Sequence, residues 1–415
     1  MSNNILPVKG THDIFGLDMD KYNFIMDKFY KISAKFNFQS IQTPIIEHQE
    51  LFSRSVGEET DIVSKEMYSF VDKGDTTICL RPEATSSLAR FAASNYQSGQ
   101  MKLSTHGPMF RRERPQKGRY RQFHQINIEN IGEKSSYIDF EIILIASTIL
   151  KELGLVADQY KLLINSLGSP EDQINYSKIL SEYLNHYRRN LSETSLARLK
   201  KNPLRILDSK DKSDKDILLN APKINEYLSK ESQNFFNDIK LMLTDNNILF
   251  KEDEKLVRGL DYYTHTAFEF QTNEEKRQNA ILAGGRYDKL INMISSRDIP
   301  GIGWAAGVER LSNLLSDKKN YTKIPKKILY AVQYESYLSN SSILKQIYGA
   351  DISHEIKVNK NIKKLFTYAD KNKFNFILLI GEEEFKSQSI LLKNLDDKSQ
   401  KLYKQNELLI VNEIR

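Results

Sequence analysis

The stretch GPMFRRERPQKGRYRQFHQINIENIG, residues 107–132, constrains the fold more than any other part of the chain. MFRRER and RQFHQINIENI are extended runs, and PQKGRY between them supplies the Pro and Gly of a loop, so the segment predicts a β-hairpin. Side chains alternate along a strand. Arg119, Arg121, Phe123, Gln125, Asn127 and Glu129 would therefore share one face, and Arg111 and Glu113 one face of the partner run. If both faces meet one pocket, it holds guanidinium groups, an aromatic plate, an amide and two carboxylates. Arg grips phosphate oxygens bidentately, Phe stacks on a base, and Glu accepts from an exocyclic amine or neutralises an ammonium. Such a set suits a nucleotide triphosphate beside an amino acid. A surface hairpin whose Arg and Glu residues pair across strands accounts for the spacing equally well.

Periodicity elsewhere outlines an α+β architecture. Tyr22, Ile25, Met26, Phe29, Ile32 and Phe36 recur at helical spacing after Gly16, and so do Ile142, Ile145, Ala146 and Ile149 within 136–153. FQSIQTPIIEHQELF reads as extended, and Pro44 inside it favours a sheet edge or a subunit boundary. EMYSFVDKGDTTICLRPE reads as a second hairpin around Lys73-Gly74-Asp75. From about 170 to 245 charged helical segments predominate, which predicts a helical insertion. LVRGLDYYTHTAFEFQT and NAILAGGRYDKLI are strand-like, and GVERLSNLL opens a helix. After a polar linker at 319–326, ILYAVQ, NIKKLFTYADK, FNFILLIG and ELLIVNEI predict a small α/β unit.

Other segments offer polar groups to a site. In RPEAT, Glu83 and Thr85 share a face if the segment is extended. RGLDYY joins Arg258 to Tyr262 and Tyr263. GGRYD at 284–288 carries a glycine pair that also suits an ordinary turn. GIGWAAGVER places Gly301, Gly303 and Gly307 before Arg310, either as a packing turn or as a close approach of backbone to ligand.

Composition narrows the class. With 60 basic against 54 acidic residues, the net charge of +6 permits a nucleic-acid partner without requiring one. Cys79 is the sole cysteine, which excludes an intramolecular disulfide and a Cys-based zinc site and points to the reducing cytoplasm. The opening MSNNILPVKGTHDIF lacks the pattern of a secretory signal, and the apolar run 142–150 is too short to span a bilayer.

In order along the chain, these pieces resemble the three signature motifs of class II aminoacyl-tRNA synthetases, in the form found in the histidyl-tRNA synthetase family. FQSIQTPIIE with Pro44 resembles motif 1, FRRE with Arg119 and Phe123 motif 2, and GVERL with Arg310 motif 3. LRPEAT, ERPQKGRYRQFHQ, LVRGLDYYTHTAFEF and AGGRYD are more selective, LVRGLDYY being similar to the histidine-specific signature. The likeness is weakest over the last 90 residues. Ala84 stands where the family commonly has Gly, Lys289 likewise, and Trp304 replaces the more usual Phe.

The resemblance implies a fold: an α+β catalytic domain over 1–320 with a mixed, mainly antiparallel sheet flanked by helices, and an anticodon-binding α/β domain over 327–415. It implies a reaction in which histidine and ATP, accompanied by Mg²⁺, form histidyl-adenylate and the histidine passes to its tRNA. It further implies a homodimer in the cytoplasm, with no membrane association. Residue by residue, it gives Arg111 and Arg258 to the reacting carboxylate and α-phosphate, and Arg119 and Arg310 to the outer phosphates. Phe123 would stack on adenine with Glu113 at its amino group. Glu83, Thr85 and Gln125 would hold the substrate ammonium, Glu129, Tyr262 and Tyr263 would frame the imidazole, and Ala84 would belong to the same histidine-binding set. A non-catalytic paralogue serving as a regulatory subunit of histidine biosynthesis is the alternative. The intact LVRGLDYY and the C-terminal unit speak against it.

Overall fold

The computed structural model describes residues 4–57, 60–116, 118–209, 211–257, 262–273, 279–318, 321, 326–339, 347–348 and 353–405. The chain divides into two compact units, 1–321 and 322–415. Unit one opens with helix α1 (Leu17–Lys35), strands β1 (Gln39–Ser40) and β2 (Ile46–His48) and the short α2 (Gln49–Phe52). The hairpin β3 (Tyr68–Val71) and β4 (Thr77–Leu80), helix α3 (Thr85–Asn95), the long pair β5 (Met101–Phe110) and β6 (Gln122–Ile131), and α4 (Ser136–Glu152) follow. After β7 (Tyr160–Ser166) come α5 (Pro170–His186), α6 (Glu193–Lys201), α7 (Lys212–Leu218) and α8 (Lys230–Asp245). The unit closes with β8 (Lys251–Glu252), β9 (Thr264–Thr272), β10 (Ala280–Arg286), α9 (Leu290–Ile294), β11 (Gly301–Gly307) and α10 (Val308–Leu314).

Eight strands form one sheet in the order β1-β5-β6-β11-β10-β9-β7-β8. Its inner pairs are antiparallel, and only the edge pairs β1 with β5 and β7 with β8 are parallel. Alternation sorts the residues of β6. Ile126 and Ile128 join Phe268, Phe270, Ile302 and Trp304 in a core against Ile25 and Phe29 of α1, Ile142 and Ile145 of α4, and Phe236 and Ile239 of α8. Gln125, Asn127 and Glu129 point to the other face. Burying a side chain such as Phe29 completely is worth about 1.5–3 kcal/mol, so one helix-covered face supplies much of the stability. The other face remains available for polar work.

Several local readings need correction. The hairpin strands stop at Phe110 and resume at Gln122, so Arg111, Glu113, Arg119 and Arg121 belong to the connection rather than to the strands. A tight exchange of backbone bonds between Gln116 and Arg119, with Gly118 at φ 74°, turns the chain there. RPEAT is not extended: Thr85 starts α3. FQSIQTPIIEHQELF is extended only in part, since Gln49–Phe52 is helical. The GGRYD glycines lie inside β10, in keeping with the strand-like reading of NAILAGGRYDKLI, whereas Gly301–Gly307 forms a strand, β11, rather than a turn.

The helical stretch also divides. Tyr176, Leu180, Leu184, Leu191, Ile206, Ile217, Leu218, Ile224 and Leu228 form a core of their own. α8 instead lays Phe236, Ile239 and Leu243 into the main core. Ser169, followed by Pro170, caps α5 in a box with Asp172, a start signal readable in SPED.

Unit two is a five-stranded sheet ordered β13-β12-β14-β15-β16. Its strands are β12 (Lys327–Val332), β13 (Ser353–Val358), β14 (Phe376–Ile380), β15 (Ser389–Asn394) and β16 (Gln400–Lys404), with helices α11 (Ile362–Lys371) and α12 (Glu382–Lys386). β12 is buried on both sides. Leu329 and Ala331 face Leu365 and Ala369 of α11, while Ile328, Tyr330 and Val332 enter a second core. The closing ELLIVNEI, expected as a strand, lies outside the described residues.

Candidate active site

The polar face of the large sheet floors a cavity of about 300 Å³. β6 contributes Phe123, Gln125 and Glu129, β11 Gly303, Ala305 and Gly307, β10 Ile281 and Ala283, and β9 Glu269. Glu83, Thr85, Arg111, Glu113, Arg119, Tyr262, Tyr263 and Arg310 complete the ring of expected residues. Ala84 is fully buried at the start of α3 and does not line the cavity. Arg258 lies outside the described residues.

At one end is a buried carboxylate. Glu129 has no exposed surface, and its two oxygens accept from the hydroxyls of Thr85 at 2.7 Å and Tyr287 at 2.5 Å. Burial pushes its pKa up to about 8, against the pull of those two hydrogen bonds. Thr85 thus supports Glu129. Glu83 accepts the backbone N–H groups of Thr85 at 2.7 Å and Ser86 at 2.9 Å, an anion seated at the start of α3. Tyr262 is buried with its ring 4.6 Å from that of Tyr263 and 5.9 Å from that of Tyr287.

Glycines make this end possible. A Cβ on Gly303 would stand 1.7 Å from Glu129 Oε2, and one on Gly285 2.9 Å from the ring of Tyr263. Gly303→Ala is therefore expected to displace Glu129 and, with this end given to the amino acid as the motif resemblance implies, to raise the KM for that substrate at least about ten-fold, the effect of about 1.4 kcal/mol of misplacement, with little change for the nucleotide. Steady-state kinetics with each substrate varied in turn checks this.

The other end is cationic. Arg111 Nε donates to the Pro82 carbonyl at 2.8 Å, and its guanidinium lies 5.3 Å from the centre of the Phe123 ring. Arg310 donates to the carbonyls of Ala280 at 2.9 Å and Gly118 at 3.3 Å. Burial first, and then repulsion from Arg119 and Arg111, lowers the Arg310 pKa. A polyanion would relieve that crowding. Arg119 is held meanwhile by an ion pair with Glu113.

Three groups beyond the expected set serve the same cavity. Tyr287 follows the GGRY glycines just past the end of β10, and its place two residues after Gly285 is the signal that identifies it. Glu309, on α10 and adjacent to Arg310, accepts the His124 backbone N–H at 2.9 Å and pairs with its ring at 2.8 Å, just past the last register pair of β11 with β6. Glu269 sits between Phe268 and Phe270 of β9, so alternation alone would place it on the cavity side. Arg81 of LRPEAT has a supporting role, bonding Thr43 and the Pro108 carbonyl beneath the site. Arg286 of AGGRYD is buried against Asp139 and Asp288; burial would loosen its proton, and Asp139 more than reverses this.

Residues 10–311 match the family model described as histidyl-tRNA synthetase. The chain belongs to the histidyl-tRNA synthetase family. Residues 331–411 match the model described as anticodon binding domain. The chloroplastic histidine–tRNA ligase of Gracilaria tenuistipitata is 42% identical over 94% of each chain. That of Orientia tsutsugamushi strain Boryong is 39% identical over 99% of this chain and 98% of the relative. Apo histidyl-tRNA synthetase of S. aureus superposes with a TM-score of 0.82 at 28% identity, covering 99% of this chain and all of the other. The class II synthetase core and its mainly antiparallel sheet agree with the architecture expected from the motifs.

Proposed function

We propose that the cavity carries out histidine activation, Glu129 recognising the imidazole and the arginine cluster the triphosphate. As a member of the family, the chain is an ATP-dependent histidine–tRNA ligase. The histidine carboxylate, ionised at neutral pH, attacks the α-phosphorus of ATP, a P–O bond forms, and pyrophosphate leaves with the electron pair of the broken P–O bond. No protein base is needed. The chain contributes alignment and charge stabilisation.

Arg111, with Arg258, neutralises the α-phosphate and orients the carboxylate. Arg310 and Arg119 take the outer phosphates, Arg119 exchanging its bond to Glu113 for phosphate oxygens. Phe123 stacks on adenine, and the released Glu113 accepts from the adenine amine. Glu83 and Gln125 hold the ammonium, and Tyr262 and Tyr263 wall the imidazole. Magnesium enters with the nucleotide as part of the substrate. In the second step a ribose hydroxyl of the terminal adenosine of the histidine tRNA attacks the adenylate carbonyl, an ester C–O bond forms as the acyl–phosphate C–O bond breaks, and AMP leaves with that electron pair, its phosphate taking up the hydroxyl proton. We assign the anticodon to the unit from 327 onward and the acceptor end to the loop around 115–120.

The observation that carries this reading is a fully buried carboxylate held by two hydroxyls at one end of a cavity whose other end is ringed by arginines. A site with buried groups that only an imidazole satisfies rejects analogues by about 10⁴–10⁵. Among the twenty amino acids, histidine alone is therefore expected to support ATP–pyrophosphate exchange, and tRNA charging should follow. Histidine binding without exchange would favour the regulatory alternative and sink the catalytic reading.

The family's dimeric state is proposed for this chain too. Ile45, Ile46, Phe70 and Val71 expose apolar side chains around the motif 1 segment. Cytoplasmic residence is consistent with the single cysteine. Among the described residues, no helix is long and apolar enough to cross a membrane.

A further inference from the structure

The first insertion helix reaches back to the segment that carries the two pocket tyrosines. The chain enters the insertion through Leu167, Gly168 and Ser169, directly beside the start of β9. Leu167 N–H donates to the His265 carbonyl at 2.6 Å, and His265 N–H to the Gly168 carbonyl at 2.7 Å. His265 takes φ 43° to make this exchange. Asp172 fastens both crossings, accepting from the backbone N–H groups of Ser169 and Ser229, each at 2.9 Å, and from the Ser232 hydroxyl at 2.6 Å. The next residue, Gln173, donates from Nε2 to the Tyr263 carbonyl at 2.9 Å.

Tyr263 precedes the first residue of β9, so its carbonyl stands outside the strand ladder. Its ring is placed against Tyr262 at 4.6 Å and above Gly285. The backbone that aims both rings into the cavity is thus held on one side by the insertion. The nucleotide end is built from different parts: Phe123 on β6, Arg310 on α10, and the loop bearing Arg111 and Arg119.

We infer that Gln173 is a positioning residue for amino-acid recognition, by which the insertion fixes the Tyr262–Tyr263 wall. This rests on the assignment of that wall to histidine. Loss of the bond frees the Tyr263 backbone and weakens histidine while leaving ATP untouched.

The test compares Gln173→Ala and Gln173→Leu with Gln233→Ala, whose amide instead bonds the Leu228 carbonyl at 3.0 Å, within the insertion at the start of α8, and among the described residues makes no bond to the tyrosine segment. KM values for histidine and ATP are measured by pyrophosphate exchange, with thermal melting of each variant. Both Gln173 variants are expected to raise the histidine KM about 3- to 10-fold, the worth of one neutral hydrogen bond. Their ATP KM and melting temperature should stay at wild-type values, as should both KM values of Gln233→Ala. An unchanged histidine KM overturns the inference. So does a parallel rise in both KM values with lowered melting, which marks a general structural role. Absence of histidine-dependent exchange in the wild type would instead overturn the functional reading.

Discussion

Glu129→Gln is expected to lower kcat/KM for histidine by about 10³ while making the empty protein more stable above neutral pH. The two effects share one cause. In the folded state burial keeps the Glu129 carboxyl protonated up to about pH 8, against an ordinary value of 4.5. The folded protein therefore binds a proton that the unfolded chain has released between those values. Stability contributed by this group is complete below pH about 4.5 and is lost as pH rises to about 8. An uncharged amide lacks that loss. The melting-temperature difference, variant minus wild type, should widen from pH 5 to 8 and then level off. A constant difference across the range would show that Glu129 titrates normally. Full activity of the variant would remove it from imidazole recognition.

Arg111 is the second large expectation. Its Nε is taken by the Pro82 carbonyl at 2.8 Å, which fixes the plane of the guanidinium beside Phe123. Only a planar fork can hold that anchor and still present terminal nitrogens to an α-phosphate oxygen. Arg111→Lys should lose nearly as much exchange rate as Arg111→Ala, about 10²–10³ in each case. Single-turnover measurement of adenylate formation distinguishes this from weaker ATP binding. A lysine variant close to wild type would show that charge alone suffices.

How far these groups were legible follows from strand geometry. Gln125 and Glu129 could be placed on one face because the side-chain period of a strand is two, whatever the strand pairs with. Arg111 and Arg119 carry a chemical signature through their neighbours, yet the same rule misplaced them, because hydrophobic alternation does not mark where a hairpin strand ends. Alternation in RPEAT suggests an extended pair of Glu83 and Thr85, whereas the Glu83 carboxylate receives the first N–H groups of a helix. Gly284 and Gly285 suggested a turn because glycine permits one. Only the neighbours reveal that the glycines are there because a Cβ would strike β11 on one side and Tyr263 on the other.

By itself, the sequence determined the residue types, the two alternating faces of β6, the helical faces that cover the sheet, and the ordered motifs that mark the family. Those are local properties, set by periods of 2 and 3.6 residues. Tertiary structure alone decided that β11 lies between β6 and β10, which brings Gly303 beneath Glu129 and Tyr287 to its second oxygen. It also decided that Gln173, 90 residues before Tyr263, holds that tyrosine's backbone. The physical reason is that strand order and helix docking depend on which apolar faces bury one another. A buried carboxylate acquires its unusual protonation only from the groups that such packing brings around it.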